Sequence, residues 1–180
     1  MDQLSQEILK ELLQKEREEK AQYEPAPAVM SSPTAVDHWT PAVLLEHGER
    51  LRHVALAGTG TTGETLKRYP RHTTMLSFRS TDGVAELHRN FADIFVVLDG
   101  RAVLATGGRI IGGIEIEEGE IRGTKVEGGS LLEIRAGDVA HVPAGVPHQM
   151  LVSGDRTFTA MVIKVQEKDL EQEIEAENAA

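Results

Sequence analysis

The sequence predicts an all-β domain with short helices at both ends. Short apolar or alternating runs recur between about residues 53 and 165, and turn pairs such as Asp82-Gly83 and Asp99-Gly100 separate them. Many short strands at even spacing, with no long helical pattern between them, are typical of an antiparallel sandwich or barrel. A length of 180 residues is that of one domain, so one barrel accounts for the core.

Residues 1–23 are predicted to form an amphipathic helix. Their apolar side chains recur with a period near 3.6, at Leu4, Ile8, Leu9, Leu12 and Leu13. A lone helix of this length is marginal in water, so this stripe is expected to dock on the body of the protein or on a second copy. An open barrel also presents edge strands that favour pairing. We therefore expect a homodimer.

Residues 24–52 are predicted to be a linker followed by a short helix. The linker is rich in Pro and small residues. Thr40 has the properties of an N-cap and Pro41 those of a first-turn proline, and the helix is expected to end near Leu51. At the other end of the chain, residues 166–180 are predicted to form an acidic helical tail with few apolar residues.

The barrel is predicted to span residues 53–165. Its strands are expected to begin at Thr73, Val84, Asp93, Arg101, Ser130, Asp138, His148 and Thr157. They fall into two halves, which the Gly-rich stretch 107–129 separates. That stretch predicts an extra hairpin or a long loop at the rim of the barrel.

The charge and the absence of cysteine exclude several classes of function. Lys and Arg number 19 against 29 Asp and Glu, and residues 1–24 and 167–180 carry most of the net charge of -10. Nucleic-acid binding and attachment to an anionic membrane both need a basic face, so neither is expected. The lack of Cys excludes a thiol nucleophile, a thiolate zinc site and an iron–sulfur cluster. With no signal peptide and no run of ~20 apolar residues, a cytoplasmic location is expected.

Candidate metal ligands occur in two strand-rich stretches. Because alternate side chains of a strand share a face, Glu86, His88 and Asn90 are expected to point the same way. Asp93 lies on the next strand and His148 on a later one. If these faces line one interior, they bring together two imidazoles and two carboxylates. Such a set suits Mn, Fe(II) or Zn.

The same two stretches resemble the paired motifs of the cupin superfamily. The second motif of that family runs Gly, five residues, Pro-x-Gly, two residues and His. Every spacing is kept here, at Gly137, Pro143, Gly145 and His148. The first motif has His-x-His, four residues, an acid, six residues and Gly. It is kept in part, at His88, Asp93 and Gly100.

The resemblance, which covers about residues 70–165, implies a double-stranded β-helix, or jelly-roll, barrel with a metal held inside. The sequence also looks like a large group of small single-domain bacterial cupins of unsettled function. Glu86 stands where the family has its first His, and Asp93 where it has Glu. A rival register takes His88 as the first His and Asn90 as the second. Both registers break the three-His set, which favours Mn or Fe(II) over Cu, and a barrel without metal remains an alternative.

Two functions are consistent with these residues. The first is a divalent-metal-dependent enzyme acting on a small organic molecule, with lyase, isomerase and oxygenase chemistries all open. Its metal ligands are expected to be Glu86, His88, Asp93 and His148, although Asp93 has a second role open to it, a hydrogen bond to a ligating His. Glu86 is the candidate catalytic residue for proton transfer, and without metal burial is expected to raise its pKa. The alternative is a non-catalytic cupin that binds or senses a small molecule.

Overall fold

The computed structural model describes Gln14, residues 36–152 and residues 154–167. The predicted N-terminal helix, apart from Gln14, and the predicted acidic tail beyond Glu167 lie outside the described residues. Within them the elements are α1 (Pro41–Ala57), β1 (Thr61–Arg68), β2 (His72–Arg79), β3 (Ala85–His88), β4 (Phe91–Thr106), β5 (Arg109–Ile111), β6 (Ile114–Glu117), β7 (Glu120–Gly123), β8 (Lys125–Glu127), β9 (Ser130–Arg135), β10 (Val139–Val142), β11 (His148–Leu151) and β12 (Phe158–Gln166).

Helix α1 begins as predicted and ends later than predicted. The Thr40 hydroxyl accepts a hydrogen bond from Val43 N at 3.3 Å, and Pro41 opens the first turn. The helix continues past Leu51 to Ala57, so the barrel begins at Thr61 and not near residue 53. The last turns of the helix pack against the sheet, and this packing stabilises the residues beyond Leu51. Helix propensity alone does not predict such tertiary packing.

Ten of the strands in the described residues form one curled antiparallel sheet that folds back on itself, and β5 pairs with β8 in a separate two-stranded sheet. Their order is β1-β2-β12-β4-β11-β3-β7-β6, and β9 and β10 both add to β4. The first part of β4 pairs with β12 and β10, whereas its second part pairs with β11 and β9. Strand β4 thereby belongs to both facing halves of the sheet. The all-β prediction is confirmed.

The strands predicted to begin at Asp93 and Arg101 are one continuous strand, β4, so the expected turn at Asp99-Gly100 is wrong. The register shifts by one residue there, which makes a bulge. Gly100 has φ +75°, and a Cβ at this position would lie 1.9 Å from the Thr157 carbonyl oxygen. Only glycine fits, and the bulge bends β4 so that it serves both halves of the sheet.

Two parts of the sheet differ from the prediction. Strand β1 was not expected, because its sequence TTGETLKR has no apolar alternation. In the structure it is half-buried as far as Lys67. The stretch 107–129, expected as a hairpin or loop at the rim, contains β5, β6, β7 and β8. Strands β6 and β7 do form a hairpin, but β7 also pairs with β3, which carries His88. Strands β6 and β7 are therefore part of the barrel wall beside the candidate site, whereas β5 and β8 pair only with each other among the described strands.

The apolar core lies on the two faces of the sheet. Inside the barrel a cluster includes Phe95, Met150 and Phe158. On the outer face, Leu76 and Phe78 of β2 pack against the buried side of α1. No helix among the described residues is both long enough and apolar enough to cross a membrane.

Candidate metal centre

Four of the predicted site residues meet inside the barrel. Strand β3 supplies Glu86 and His88, β4 supplies Asp93 and β11 supplies His148. One donor atom from each lies within 4.8 Å of the others. His148 is paired directly with Glu86 across neighbouring strands, which brings the two side chains to the same face. His88, Asp93 and His148 are buried and Glu86 is half-buried.

The donor atoms converge on one small volume. His88 Nε2 lies 3.1 Å from Asp93 Oδ2 and 3.4 Å from Glu86 Oε2. His148 Nε2 lies 3.4 Å from the same Asp93 oxygen. Both imidazoles thus turn the same ring nitrogen, Nε2, towards the carboxylates.

Hydrogen bonds on the far side of each ring set this orientation. His148 Nδ1 lies 3.1 Å from the carbonyl oxygen of Val146, and since a carbonyl only accepts, Nδ1 carries the hydrogen. His88 Nδ1 lies 2.5 Å from Glu120 Oε2. In the neutral rings this leaves the Nε2 lone pairs directed into the site, which is the arrangement found in metal-binding histidines.

The residues present fit a divalent cation. Among the described residues, His88 Nε2, His148 Nε2 and Asp93 Oδ1 are buried and have no hydrogen-bond partner. The contact of His88 Nε2 with Asp93 has the length of an ion pair but not the geometry of a hydrogen bond. A buried polar atom without a partner costs about 1–3 kcal/mol. An ion bound by these atoms would satisfy all three.

The charges of the cluster are strongly coupled. Burial lowers the pKa of His88, but Asp93, Glu120 and Glu86 outweigh it and raise this pKa to about 10. Burial raises the pKa of Asp93, but the two imidazoles hold it well below its usual range. Without an ion the cluster is therefore an imidazolium among carboxylates, and a bound cation would take the place of that proton.

Glu86 does not behave as the sequence led us to expect. Burial alone would raise its pKa, but Arg122 and the imidazoles lower it well below the usual range. Arg122 Nη2 lies 3.4 Å from one carboxylate oxygen, and Arg79 Nη2 lies 3.6 Å from the other. The expectation of a raised pKa is wrong because Arg122, which comes from another strand, and the two imidazoles stabilise the ionised carboxylate. Glu86 is ionised and is a weak base.

Glu120 is a site residue that sequence reasoning missed. Its carboxylate binds His88 on one side, and Arg122 and Lys164 lie 3.3 and 3.4 Å away. These contacts outweigh the effect of burial and lower its pKa. The only sequence signal was the alternation of Glu and Ile in the Gly-rich stretch, which predicts a strand but not the strand it pairs with.

The donor atoms border a cavity of about 380 Å³ inside the barrel. Glu86, Asp93 and His148 form part of its lining, whereas His88 lies behind them. The lining also includes the apolar side chains of Met75 and Val162. A ligand in this cavity would contact the candidate centre directly.

Comparisons with known proteins extend this description. No protein-family model and no curated protein matches the sequence. Among solved structures, the protein BH2720 of Bacillus halodurans is similar with a TM-score of 0.53 at 15% identity, over 80% of this chain and 89% of that one. A double-stranded β-helix protein of Klebsiella pneumoniae gives 0.45 at 15% identity, over 59% of this chain and 76% of that one. A Cupin 2 conserved barrel protein of Salinispora arenicola gives 0.42 at 18% identity, over 59% and 76%.

The chain has the cupin fold. The predicted double-stranded β-helix is confirmed. Likenesses at these identities concern the fold and leave the ligand open.

The two cupin motifs are joined through the main chain. Gly145 N, in the Pro-x-Gly turn of the second motif, donates a hydrogen bond of 2.7 Å to the carbonyl oxygen of His88. This bond fixes the start of β11, and with it His148, beside the first motif.

Asn90, the rival to Glu86, is buried but lies outside the group of converging donor atoms. His141 is exposed and binds Glu167 at 3.2 Å, outside the cavity of the cupin barrel.

Proposed function

We propose that this cupin binds a divalent cation through Glu86, His88, Asp93 and His148. With that cation it acts on a small organic molecule held in the barrel cavity. The observation that carries the proposal is that Nε2 of His88 and Nε2 of His148 are buried without hydrogen-bond partners among the described residues and converge with carboxylate oxygens of Glu86 and Asp93. Buried polar atoms are otherwise almost always paired.

The donor set favours particular ions. Two imidazoles and two carboxylates suit Mn or Fe(II), and Zn is also compatible. The chain has no Cys, so no thiolate softens the site towards Cu(I). The two carboxylates would also supply charged oxygen donors to a divalent ion.

The surrounding residues prepare the site for binding. Glu120 and the Val146 carbonyl hold the two rings with Nε2 facing inwards. Arg79 and Arg122 hold the Glu86 carboxylate in place. When bound, the ion would act as a Lewis acid that polarises a carbonyl or carboxylate oxygen of the ligand.

The role of Glu86 follows from its surroundings. A base that works near neutral pH needs a pKa close to 7, and the pKa of Glu86 lies well below its usual range. We therefore place Glu86 as a ligand ahead of a proton acceptor. Lyase, isomerase and oxygenase chemistries all remain compatible with the cavity.

A second candidate function is binding or sensing without turnover. The acidity of Glu86 favours it, because the carboxylate that we expected to transfer protons is instead neutralised by arginines. The two functions share the metal site and differ in whether the ligand is consumed. A ligand recovered unchanged after incubation with the metal-loaded protein would favour the second.

Elemental analysis of the full chain, purified without added metal or chelator, tests the proposal. We expect close to one Mn, Fe or Zn per chain. The double variant His88→Gln, His148→Gln should lose the metal, whereas His141→Gln, which removes an exposed imidazole, should keep it. Metal absent from the parent and not taken up on addition of Mn²⁺, Fe²⁺ or Zn²⁺ would overturn the proposal.

A further inference from the structure

The cavity that borders the candidate centre is rich in basic side chains. Among the described residues, its lining contains four basic groups, at Arg68, Arg79, Arg122 and Lys164. Three acidic groups also line it, at Glu86, Asp93 and Glu117. Glu120 does not line the cavity, but its carboxylate contacts two of the basic groups that do, Arg122 and Lys164. When both imidazoles are neutral, as metal binding requires, the negative charges of these four carboxylates equal the positive charges of the four basic groups.

A divalent cation upsets this balance by two positive charges. An excess charge in a partly enclosed site is costly unless an opposite charge accompanies it. A ligand with two negative charges restores the balance, whereas a neutral ligand does not. The argument rests on the proposed function, because the excess charge exists only when a divalent ion is bound.

One basic group is free to meet such a ligand. Three of the four already contact carboxylates, since Arg79 and Arg122 bind Glu86 and Lys164 binds Glu120. Arg68 is exposed, and its guanidinium has no hydrogen bond or ion pair with the described residues. It lines the cavity without a partner there.

The strand register places Arg68 in line with the candidate centre. Arg68 is paired with Thr73, Thr73 with Lys164, and Lys164 with Asp93. Directly paired residues of neighbouring strands point to the same face, and all four line the cavity. At ~4.8 Å per strand, the backbones of Arg68 and Asp93 lie ~14 Å apart along this row.

The neighbouring row of the same wall is apolar. Thr65 is paired with Met75, Met75 with Val162, and Val162 with Phe95. Phe95 and Val162 are buried, and Met75 packs against them. A ligand that spans from the centre to Arg68 would therefore lay a short hydrocarbon chain along these side chains.

We infer that the cavity takes a short aliphatic dicarboxylate. One carboxylate would bind at the metal beside Lys164, and the other would bind the Arg68 guanidinium at the cavity mouth. The carbon chain between them would pack on Met75, Val162 and Phe95. Because the two anchoring points lie on strands three apart, a two-carbon diacid such as oxalate is too short to reach both.

Isothermal titration of the Mn²⁺-loaded full chain with succinate, glutarate and adipate tests this inference. At least one of the three should bind, and succinamide, which has the shape of succinate without its charges, should not. Oxalate should bind more weakly than the best of the three. Arg68→Gln removes the charge-assisted contact with the second carboxylate and should weaken binding of the best diacid by about tenfold. The matched control Arg50→Gln, on the exposed face of α1, should leave it unchanged.

The outcomes separate this inference from the proposed function. Protein that contains stoichiometric Mn²⁺ but binds none of the three diacids overturns the inference and leaves the metal site intact. An affinity for succinamide equal to that for succinate overturns the inference as well. So does an unchanged affinity of the Arg68→Gln variant for the best diacid. Protein that holds none of Mn²⁺, Fe²⁺ and Zn²⁺ overturns the proposed function, and tight diacid binding to that metal-free protein would contradict the charge argument directly.

Discussion

The Nδ1 nitrogen of His88 lies 2.5 Å from the Oε2 oxygen of Glu120, on the neighbouring strand β7. This contact fixes Nε2 as the ring nitrogen that faces the other donor atoms, and it makes the imidazole a stronger donor towards a cation. A carboxylate from the Gly-rich stretch, outside both cupin motifs, thus supports a ligand that one of the motifs supplies.

Glu120→Gln should therefore weaken metal binding without removing a ligand. Loss of such a supporting carboxylate typically costs about 10–100-fold in metal affinity. Competition with a chelating indicator for Mn²⁺ measures it. Glu115→Gln on β6, which removes a carboxylate that pairs with Arg89 at the surface, is the control and should bind normally. Equal affinities for the two variants would show that the His88–Glu120 contact does not tune the site.

Glu86→Gln should reduce metal affinity, because it removes a charged oxygen donor and keeps the shape of the side chain. Glu117→Gln, at another carboxylate of the cavity lining, should retain the metal. Metal affinity and ligand turnover should be measured on the same preparations. If metal stays bound while turnover falls, Glu86 transfers protons after all. If neither changes, Glu86 has no role in the site.

The metal-free protein should become less stable as the pH rises from about 6.5 to about 10. The pKa of His88 is raised to about 10 in the folded protein, against about 6.5 in an unfolded chain. A raised pKa stabilises the fold fully below the unfolded value, and this contribution is lost as the pH passes through the folded value. Thermal unfolding of chelator-treated protein across this range measures it.

His88→Gln provides the comparison, because it has no proton to lose in this range. Its Tm should depend less on pH between about 6.5 and 10 than that of the parent protein. In the parent, added Mn²⁺ should bind more tightly as the pH rises, since metal and proton compete for the ring. A parent Tm that stays constant or rises over the range would contradict the charged cluster.

We expect a homodimer with a contribution from exposed apolar strands. Leu131 and Val139 are 71% and 65% exposed on β9 and β10, and Leu132 beside them is also exposed. Leu131→Glu should weaken the dimer measured by light scattering, whereas Leu56→Glu, at an exposed position of α1, should not. Deleting residues 1–29 tests the contribution of the N-terminal segment. A monomeric parent protein would refute the expectation.

The local pattern of the sequence was enough to predict the faces of the strands that carry the candidate site. Alternation within β3 and the spacing of the second motif follow from neighbours along the chain, and the structure brings Glu86, His88, Asp93 and His148 together. The N-cap at Thr40 is likewise a local property. Such features depend on residues only a few positions apart.

The features that sequence reasoning missed all depend on pairing between distant strands. Glu120 reaches His88 because β7 pairs with β3, and the pKa of Glu86 is lowered because Arg122 on β7 and the two imidazoles approach it. The continuity of β4 through Gly100 depends on its bulged pairing with β12. Alternation along one strand carries no information about which strand lies beside it.

X-ray diffraction from crystals of the Mn²⁺-loaded protein, with anomalous data at the manganese edge, tests the central claim most directly. The account predicts one anomalous peak inside the barrel, ~2.0–2.2 Å from Nε2 of both His88 and His148. Carboxylate oxygens of Asp93 and Glu86 should complete its protein ligands. A peak outside the barrel, or one bound by neither Nε2 atom, would contradict the account.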